Sequence, residues 1–231
     1  MGHPTKFLCA ASLAAAAAAS SAAPVTWVDW LSGTPGANGS ATGVLDLGGT
    51  SVDVHYSGEI SFLQTSGGTN YYIPSAPYMS SVVDNAPSTP DIIALSTATT
   101  KTLTFSKPID NLFFAVVSLN SNGYRFDQDF EIISSGTGYW GAGTMSRVDL
   151  GNGTFEVTGT GEPHGVIRFN SAVSSITWSS QTNEYWNGFT VGTFGLADGP
   201  VPIPEPQTYA LMLAGLAMVT VLTRRRSALR K

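Results

Sequence analysis

Charged residues are scarce in this chain of 231 residues. They make up 12% of it, about half of the ~25% that is usual in soluble proteins, and small polar residues take their place. Residues 23–200 hold 15 acidic and 5 basic side chains, which gives this body a net charge of −10. Because binding to phosphate backbones needs a basic surface, we expect no nucleic-acid partner. Neutral sugars or cations are compatible with such a body.

Cysteine and histidine are nearly absent as well. The only cysteine, Cys9, lies in the N-terminal apolar segment, so residues 23–200 can form neither a disulfide nor a cysteine metal site. His55 and His164 are isolated in the sequence, and no Gly-x-Ser-x-Gly motif is present. These absences argue against zinc binding and nucleophilic catalysis, and we predict a protein that is not an enzyme and has no cofactor, with calcium left open.

Helical periodicity is also missing from residues 23–200. Short segments that alternate apolar and polar residues, such as 52–56 and 155–157, are separated by glycine, asparagine, serine and proline. The pattern predicts about ten to twelve strands in an all-β ectodomain, a β-sandwich or jelly-roll-like fold. Leu112–Val117 is apolar on both faces and predicts a central strand that is covered on both sides. Residues 74–90 are rich in serine and proline and predict an irregular loop.

Asparagine–glycine pairs predict where the strands turn. The pairs are Asn122-Gly123, Asn152-Gly153 and Asn187-Gly188. Such pairs favour turns that require a positive φ.

The N-terminus has the pattern of a signal peptide over residues 1–22. Lys6 precedes an apolar run, residues 7–19, of about 13 residues, which is too short to cross a bilayer core that needs ~20. Small residues follow, and cleavage after Ala22 would put Ser20 at position −3. We therefore predict export through the inner membrane.

The C-terminal segment, residues 201–231, has three parts in a fixed order. Alternating prolines around Glu205 favour an extended, accessible backbone. Residues 207–223 would form a helix of ~25 Å, which is short for a hydrocarbon core of ~30 Å. A basic group follows the predicted span and should stop it at the cytoplasmic side; it consists of Arg224, Arg225 and Arg226.

This order of Pro204-Glu205-Pro206, short apolar span and arginine cluster resembles a PEP-CTERM sorting signal. The resemblance implies an exported protein of a Gram-negative bacterium that makes extracellular polysaccharide. It further implies an exosortase as partner, with processing near Pro204, Glu205 and Pro206. The membrane-anchored precursor would then become a cell-surface or extracellular protein. An ordinary single-span anchor without processing is the alternative.

Exposed aromatic residues are the candidates for ligand contact in the ectodomain. Trp140, Tyr185 and Trp186 lie in or beside predicted loops. Aromatic faces can stack on sugar rings, so these three residues are predicted glycan contacts. The alternative is that they close the open end of the sandwich.

Alternating carboxylates supply the candidate metal site. In a strand, period-two spacing would place Asp127, Asp129 and Glu131 on one face, where a cation would relieve their repulsion. Calcium takes oxygen ligands of this kind. A solvated strand face beside Arg125 explains the same pattern, and a glycosidase carboxylate pair is a third interpretation.

Together these features predict a non-enzymatic structural or adhesive module that is associated with exopolysaccharide. A carbohydrate-binding module is the first alternative. A secreted polysaccharide hydrolase is the second.

Overall fold

Short strands dominate the computed structural model, which describes residues 22–197. The predicted sorting tail and, apart from Ala22, the predicted signal peptide lie outside these residues. Across the described range the only helical element is a 3₁₀ turn at Ala76–Tyr78. No helix there is long and apolar enough to cross a membrane. The strands are β1 (Thr26–Trp27), β2 (Asp29–Thr34), β3 (Gly36–Asp46), β4 (Ser51–Ile60), β5 (Phe62–Gln64), β6 (Ile92–Leu95), β7 (Thr100–Asp110), β8 (Leu112–Val117), β9 (Gly123–Phe126), β10 (Phe130–Thr137), β11 (Gly143–Asp149), β12 (Phe155–Gly161), β13 (Pro163–Phe169), β14 (Val173–Ser180), β15 (Asn187–Thr193) and β16 (Gly195–Leu196).

These strands form two antiparallel sheets, so the all-β prediction is confirmed. The first sheet has seven strands in the order β10-β13-β8-β15-β6-β5, with β1 pairing beside β15. The second has nine strands in the order β11-β12-β9-β14-β7-β4-β3-β2, with β16 pairing beside β7. Because the pairing is antiparallel, β8 and β10 run in the same direction, as do β12 and β14.

The main core lies between the two sheets. Phe114 of the first sheet stacks on Phe189, with ring centroids 4.6 Å apart. It also meets Trp178 of the second sheet edge-on at 5.4 Å. In β4, Val52 and Val54 point into this core while Asp53 between them is exposed. The core therefore follows from the alternation that the sequence displays.

A second apolar cluster lies on the outer face of the first sheet. Phe113, Ala115 and Val117 of β8 are buried there beneath the covering segment, residues 65–91, which joins β5 to β6. Tyr72 and Tyr78 of this segment are buried in the same cluster. The prediction of a strand covered on both sides is confirmed for β8, and the predicted irregular loop forms part of its cover.

Sixteen strands occur in residues 22–197, more than the pattern predicts, because strands of two or three residues are too short to show alternation. The turn at Asn152-Gly153 is confirmed and joins β11 to β12, with φ +78° at Gly153. The prediction of a turn at Asn187-Gly188 is wrong, since both residues belong to β15 and pair with β6. Asn122-Gly123 stands at the start of β9, where the positive φ (+49°) falls on Ser121 instead.

Candidate functional site

Four connections between strands meet at one end of the sandwich and enclose a cleft. They follow β8 and β10 of the first sheet and β12 and β14 of the second. Because the two strands named in each sheet run in the same direction, the connections after them lie at the same end of that sheet. The cleft has a volume of about 290 Å³. Its lining residues are Ser118, Asn120, Trp140, Glu162, Glu184, Tyr185 and Trp186.

The structure brings the three predicted glycan contacts together around this cleft. Trp140 comes from the β10–β11 connection, while Tyr185 and Trp186 come from the β14–β15 connection. The Trp140 and Trp186 rings meet edge-on, with centroids 5.9 Å apart. Trp140 is 49% exposed and Tyr185 is 93% exposed. Both side chains are therefore accessible to a ligand, and contact with a glycan stays a prediction.

An aromatic cluster supports the cleft from the side of the covering segment. Tyr71 stacks on Trp140 at a centroid distance of 6.3 Å and meets Trp186 edge-on at 4.9 Å. It also contacts Tyr139 at 5.1 Å, and Phe62 of β5 meets Trp186 at 4.9 Å. Trp186 thus packs against this aromatic cluster, while the side chains of Trp140 and Tyr185 are exposed.

Glu162 contributes one of two carboxylates to the cleft. It is the single residue between β12 and β13. Its Oε2 accepts a hydrogen bond from the buried Ser118 hydroxyl, and its Oε1 accepts one from the Asn120 amide at 2.6 Å. Ser118 has a φ of +58°, an uncommon conformation for a residue other than glycine. The turn after β8 is thus shaped to present both donors to Glu162.

Glu184 contributes the second carboxylate. Its Oε1 accepts hydrogen bonds from the Asn122 amide at 2.6 Å and from the Asn187 amide, which in turn accepts one from the Tyr124 hydroxyl. Burial is the main cause that raises the pKa of Glu184. Hydrogen bonds from the Asn122 and Asn187 amides and from the Asn120 backbone N–H act in the opposite direction, and the charge of Glu162 adds a smaller increase. Both carboxylates line the same cleft, and a nearby like charge disfavours the ionised form of a carboxyl group.

Neither Glu162 nor Glu184 forms an ion pair within residues 22–197. The arginines of this range pair with other carboxylates, as Arg125–Glu156, Arg147–Asp129 and Arg168–Glu131. Lys101 is buried and donates to the Thr97 carbonyl at 2.6 Å and to other oxygens. The cleft is therefore acidic, and no protein cation in the described range balances its charge.

The structure does not bring Asp127, Asp129 and Glu131, the predicted calcium ligands, together on one strand face. β9 ends at Phe126 and β10 begins at Phe130, so the chain turns here and the three side chains do not share a strand face. Asp127 accepts a hydrogen bond from the Thr177 backbone N–H at 3.1 Å, and the other two pair with separate arginines. In the part of the chain that the structure describes, no group of three His, Cys, Asp or Glu could hold a metal ion.

His164 is a buried residue of β13 that connects the loop of Trp140 to the covering segment. Its Nε2 accepts a hydrogen bond from the Trp140 backbone N–H at 3.4 Å, so in the neutral ring Nδ1 carries the proton. Nδ1 donates to the Tyr78 hydroxyl at 2.8 Å, and this hydroxyl donates to the Tyr71 carbonyl at 3.5 Å. Burial lowers the pKa of His164 to about 4, so the ring is neutral at neutral pH.

Gly138 lets the loop that carries Trp140 pack closely on His164. A Cβ at position 138 would overlap the imidazole ring. The Gly138 N–H donates to the Gly141 carbonyl at 2.9 Å, which closes the loop around Tyr139 and Trp140. The position of Trp140 thus depends on contacts beneath the cleft.

Sequence reasoning named none of the polar residues of the cleft. Ser118, Asn120, Glu162 and Glu184 come from three separate connections, and no local spacing relates them. One partial signal exists, because Glu184 directly precedes Tyr185 and Trp186.

Comparison with known proteins bears on the other end of the chain. Residues 202–226 match the family model of the PEP-CTERM protein-sorting motif. This range includes Pro204, Glu205 and Pro206 together with the arginine group, and it confirms the sorting signal predicted from them. No curated protein and no solved structure matches the chain.

Proposed function

We propose that this chain, an exported protein with an exosortase-targeting PEP-CTERM motif, carries a carbohydrate-binding β-sandwich that acts as a non-enzymatic adhesive module. The motif indicates a membrane-anchored precursor that is destined for the cell surface. There the sandwich would bind extracellular polysaccharide. This proposal joins the adhesive function expected from the sequence to the cleft found in the ectodomain.

The observation that carries the proposal is the meeting of Trp140, Tyr185 and Trp186 around one cleft. Large aromatic side chains offer contact area with few rotatable bonds, and they rarely stay exposed together without a partner. Ligand pockets measure about 300–1,000 Å³, so a cleft of about 290 Å³ suits a short stretch of saccharide. Ser118 and Asn120 add a hydroxyl and an amide that can meet sugar hydroxyl groups.

The hydrogen bonds of the two carboxylates favour binding over hydrolysis. A hydrolase needs one carboxyl group free to give a proton to the leaving oxygen and a second one across the scissile bond. Both oxygens of Glu162 accept hydrogen bonds from neutral donors, so this carboxylate has no oxygen free to act on a scissile bond. The Oε1 of Glu184 is also held by neutral amides. Release of reducing ends from a bound polysaccharide would contradict the non-enzymatic part of the proposal.

Carbohydrate binding is tested with the full chain, purified in a mild detergent, on immobilised neutral, amino and acidic polysaccharides. We expect retention on at least one class, and Trp140→Ala should weaken it at least tenfold, which equals about 1.4 kcal/mol. Leu31→Ala is the matched control, because Leu31 is exposed in β2, away from the cleft lining. Failure of the wild-type chain to bind any class would overturn the proposal.

Processing of the tail is tested separately by intact mass of the protein released from its native cells. We expect the released form to lack residues 207–231. A Glu205→Ala variant should keep them and stay with the membrane fraction. A released wild-type form that retains residues 207–231 would mean that the tail is an ordinary membrane anchor.

A further inference from the structure

The charge of the cleft restricts the class of saccharide that can enter it. Glu162 and Glu184 line the same cleft, and the negative charge of one is felt by the other. No lining residue is basic. The side chains that donate hydrogen bonds to the two carboxylates are all uncharged, namely Ser118, Asn120, Asn122 and Asn187. The Asn120 backbone N–H adds a further neutral donor to Glu184.

The electrostatic contribution to binding in this cleft depends on the charge of the ligand. A uronic acid would add a third carboxylate to a cleft that already holds two, within a body of net charge −10. A neutral sugar would gain hydrogen bonds. It would also displace water from two carboxylates without supplying a positive charge to balance them. An ammonium group placed between them would supply that charge and donate charge-assisted hydrogen bonds.

The aromatic walls favour the same ligand charge. The faces of Trp and Tyr rings attract cations when the cation lies within about 6 Å of the ring centroid. Trp140, Tyr185 and Trp186 line the cleft together with the two carboxylates. The same rings can stack on the apolar face of a sugar, so one ligand can use both the ring faces and the acidic groups.

We infer that the cleft selects polysaccharides that carry free amino groups, such as de-N-acetylated hexosamine residues, over N-acetylated, neutral and acidic ones. This inference rests on the proposed carbohydrate-binding function and names its ligand class. A saccharide fits better than a basic peptide for two reasons. Trp140 and Tyr185 are too exposed to form a closed cage around a lysine side chain, and the hydroxyl of Ser118 and the amide of Asn120 match a ligand rich in hydroxyl groups.

The test compares ligands that differ only in acetylation. The full chain in detergent is titrated at slightly acidic pH with chitosan oligosaccharides and with chitin oligosaccharides of the same length. Polygalacturonate, a neutral glucan and polylysine serve as further probes. We expect the free-amine oligosaccharide to bind at least tenfold more tightly than its acetylated counterpart. Added salt should reduce this difference.

Two variants connect the preference to the carboxylates. Glu162→Gln and Glu184→Gln should each reduce the preference for the free amine, while Trp140→Ala should weaken binding of both oligosaccharides. The matched control is Glu156→Gln, which removes the same charge from a residue that pairs with Arg125 and does not line the cleft. It should keep the full preference.

The outcomes separate this inference from the proposed function. Equal or tighter binding of the acetylated, neutral or acidic ligand would overturn the inference and leave carbohydrate binding intact. Tighter binding of polylysine than of the amino sugar would overturn it in favour of a basic peptide partner. Absence of binding to every saccharide would overturn the proposed function and the inference together. The ligand comparison needs no variant, so it stands even if a glutamine variant fails to fold.

Discussion

The two outer faces of the sandwich differ in what lies over them. On the first sheet, Phe113 and Val117 of β8 are buried beneath the covering segment, residues 65–91. On the second sheet, Asp53 and His55 of β4 are exposed between residues that point into the main core. The first face is apolar and covered, whereas the second is polar and bare.

This difference teaches how the cleft is supported. The covering segment carries Tyr71 and Tyr78, and through them and His164 it fixes the wall that holds Trp140. The covering segment therefore packs against the exposed aromatic residues of the cleft and supports them. The outer face of the second sheet has no such residues to support. Changes on the covered face should affect stability and ligand binding together, and changes on the bare face should affect neither strongly.

The largest expected effect compares two neighbouring residues of β8 that point in opposite directions. Phe114 contacts the rings of Tyr124, Phe126, Trp178 and Phe189 in the main core. Phe113 contacts the ring of Phe194 alone among the described aromatic pairs. We expect Phe114→Ala to lower the free energy of unfolding by about 3–5 kcal/mol, and Phe113→Ala to lower it by less, because fewer partners lose contact.

Urea unfolding measures both values, and hydrogen exchange shows where the chain opens. Phe113→Ala should raise exchange mainly in residues 65–91, since its cluster joins them to the sheet. A larger loss for Phe113→Ala than for Phe114→Ala would mean that the covered face, and not the space between the sheets, is the stronger core.

The pH dependence of stability should report His164. Its pKa in the folded chain is about 4, below the usual 6.5, because burial disfavours the charged ring. The unfolded chain binds the proton more readily, so this contribution to stability is complete above pH ~6.5 and is lost as the pH falls toward ~4. The loss is at most about 3.5 kcal/mol, since the two pKa values differ by about 2.5 and one pKa unit equals about 1.4 kcal/mol.

Unfolding curves between these pH values, compared with those of His164→Gln, isolate this contribution. Asp91 and Glu184 have pKa values raised by burial, so their contributions decline as the pH rises, opposite in sign to that of His164. They are present in both proteins and should largely cancel in the difference. If the two proteins lose stability in parallel, the histidine does not titrate as its burial implies.

A smaller effect is expected from the hydroxyl that joins His164 to the covering segment. Tyr78→Phe keeps the ring contact with Tyr72, whose centroid lies 5.3 Å away, but leaves the Nδ1–H of His164 buried without its acceptor. We expect a loss of about 1–3 kcal/mol in the free energy of unfolding and several-fold weaker saccharide binding.

Tyr72→Phe provides the matched comparison. The Tyr72 hydroxyl is also buried, but it donates to the Asp91 carbonyl at 3.3 Å and not to His164. This variant should lose stability without losing affinity. Equal losses of affinity in both variants would show that the covering segment supports the cleft as a whole and not through His164.

The sequence predicted features that depend on one strand or one loop. Leu112–Val117 was recognisable as a doubly covered strand because six consecutive apolar residues need two apolar surroundings. Trp140, Tyr185 and Trp186 were recognisable because large aromatic residues in a polar loop are conspicuous. The sorting signal was also predictable, because its three parts follow one another along a single segment of the chain.

Features that depend on several distant segments escaped sequence reasoning. Glu162 and its donor Ser118 are 44 positions apart and meet only because β8 and β12 end at the same side of the sandwich. The sequence predicted one strand face for Asp127, Asp129 and Glu131 because they alternate with other residues. Such alternation does not reveal that the chain turns between β9 and β10 at this point. The contacts of His164 could not be predicted either, because nothing near it in the sequence indicates the Tyr78 hydroxyl 86 positions away.

The smallest effect is expected on the bare face of the second sheet. Arg125 and Glu156 pair there at 2.7 Å on neighbouring strands β9 and β12, and the Arg125 side chain is 44% exposed. Water screens such a pair, so Glu156→Gln should change the free energy of unfolding by at most about 1 kcal/mol, and less at high salt. Urea unfolding at two salt concentrations measures this. A loss comparable to that of Phe113→Ala would mean that the polar face also holds the sandwich together, and that a cover is not what distinguishes the two faces.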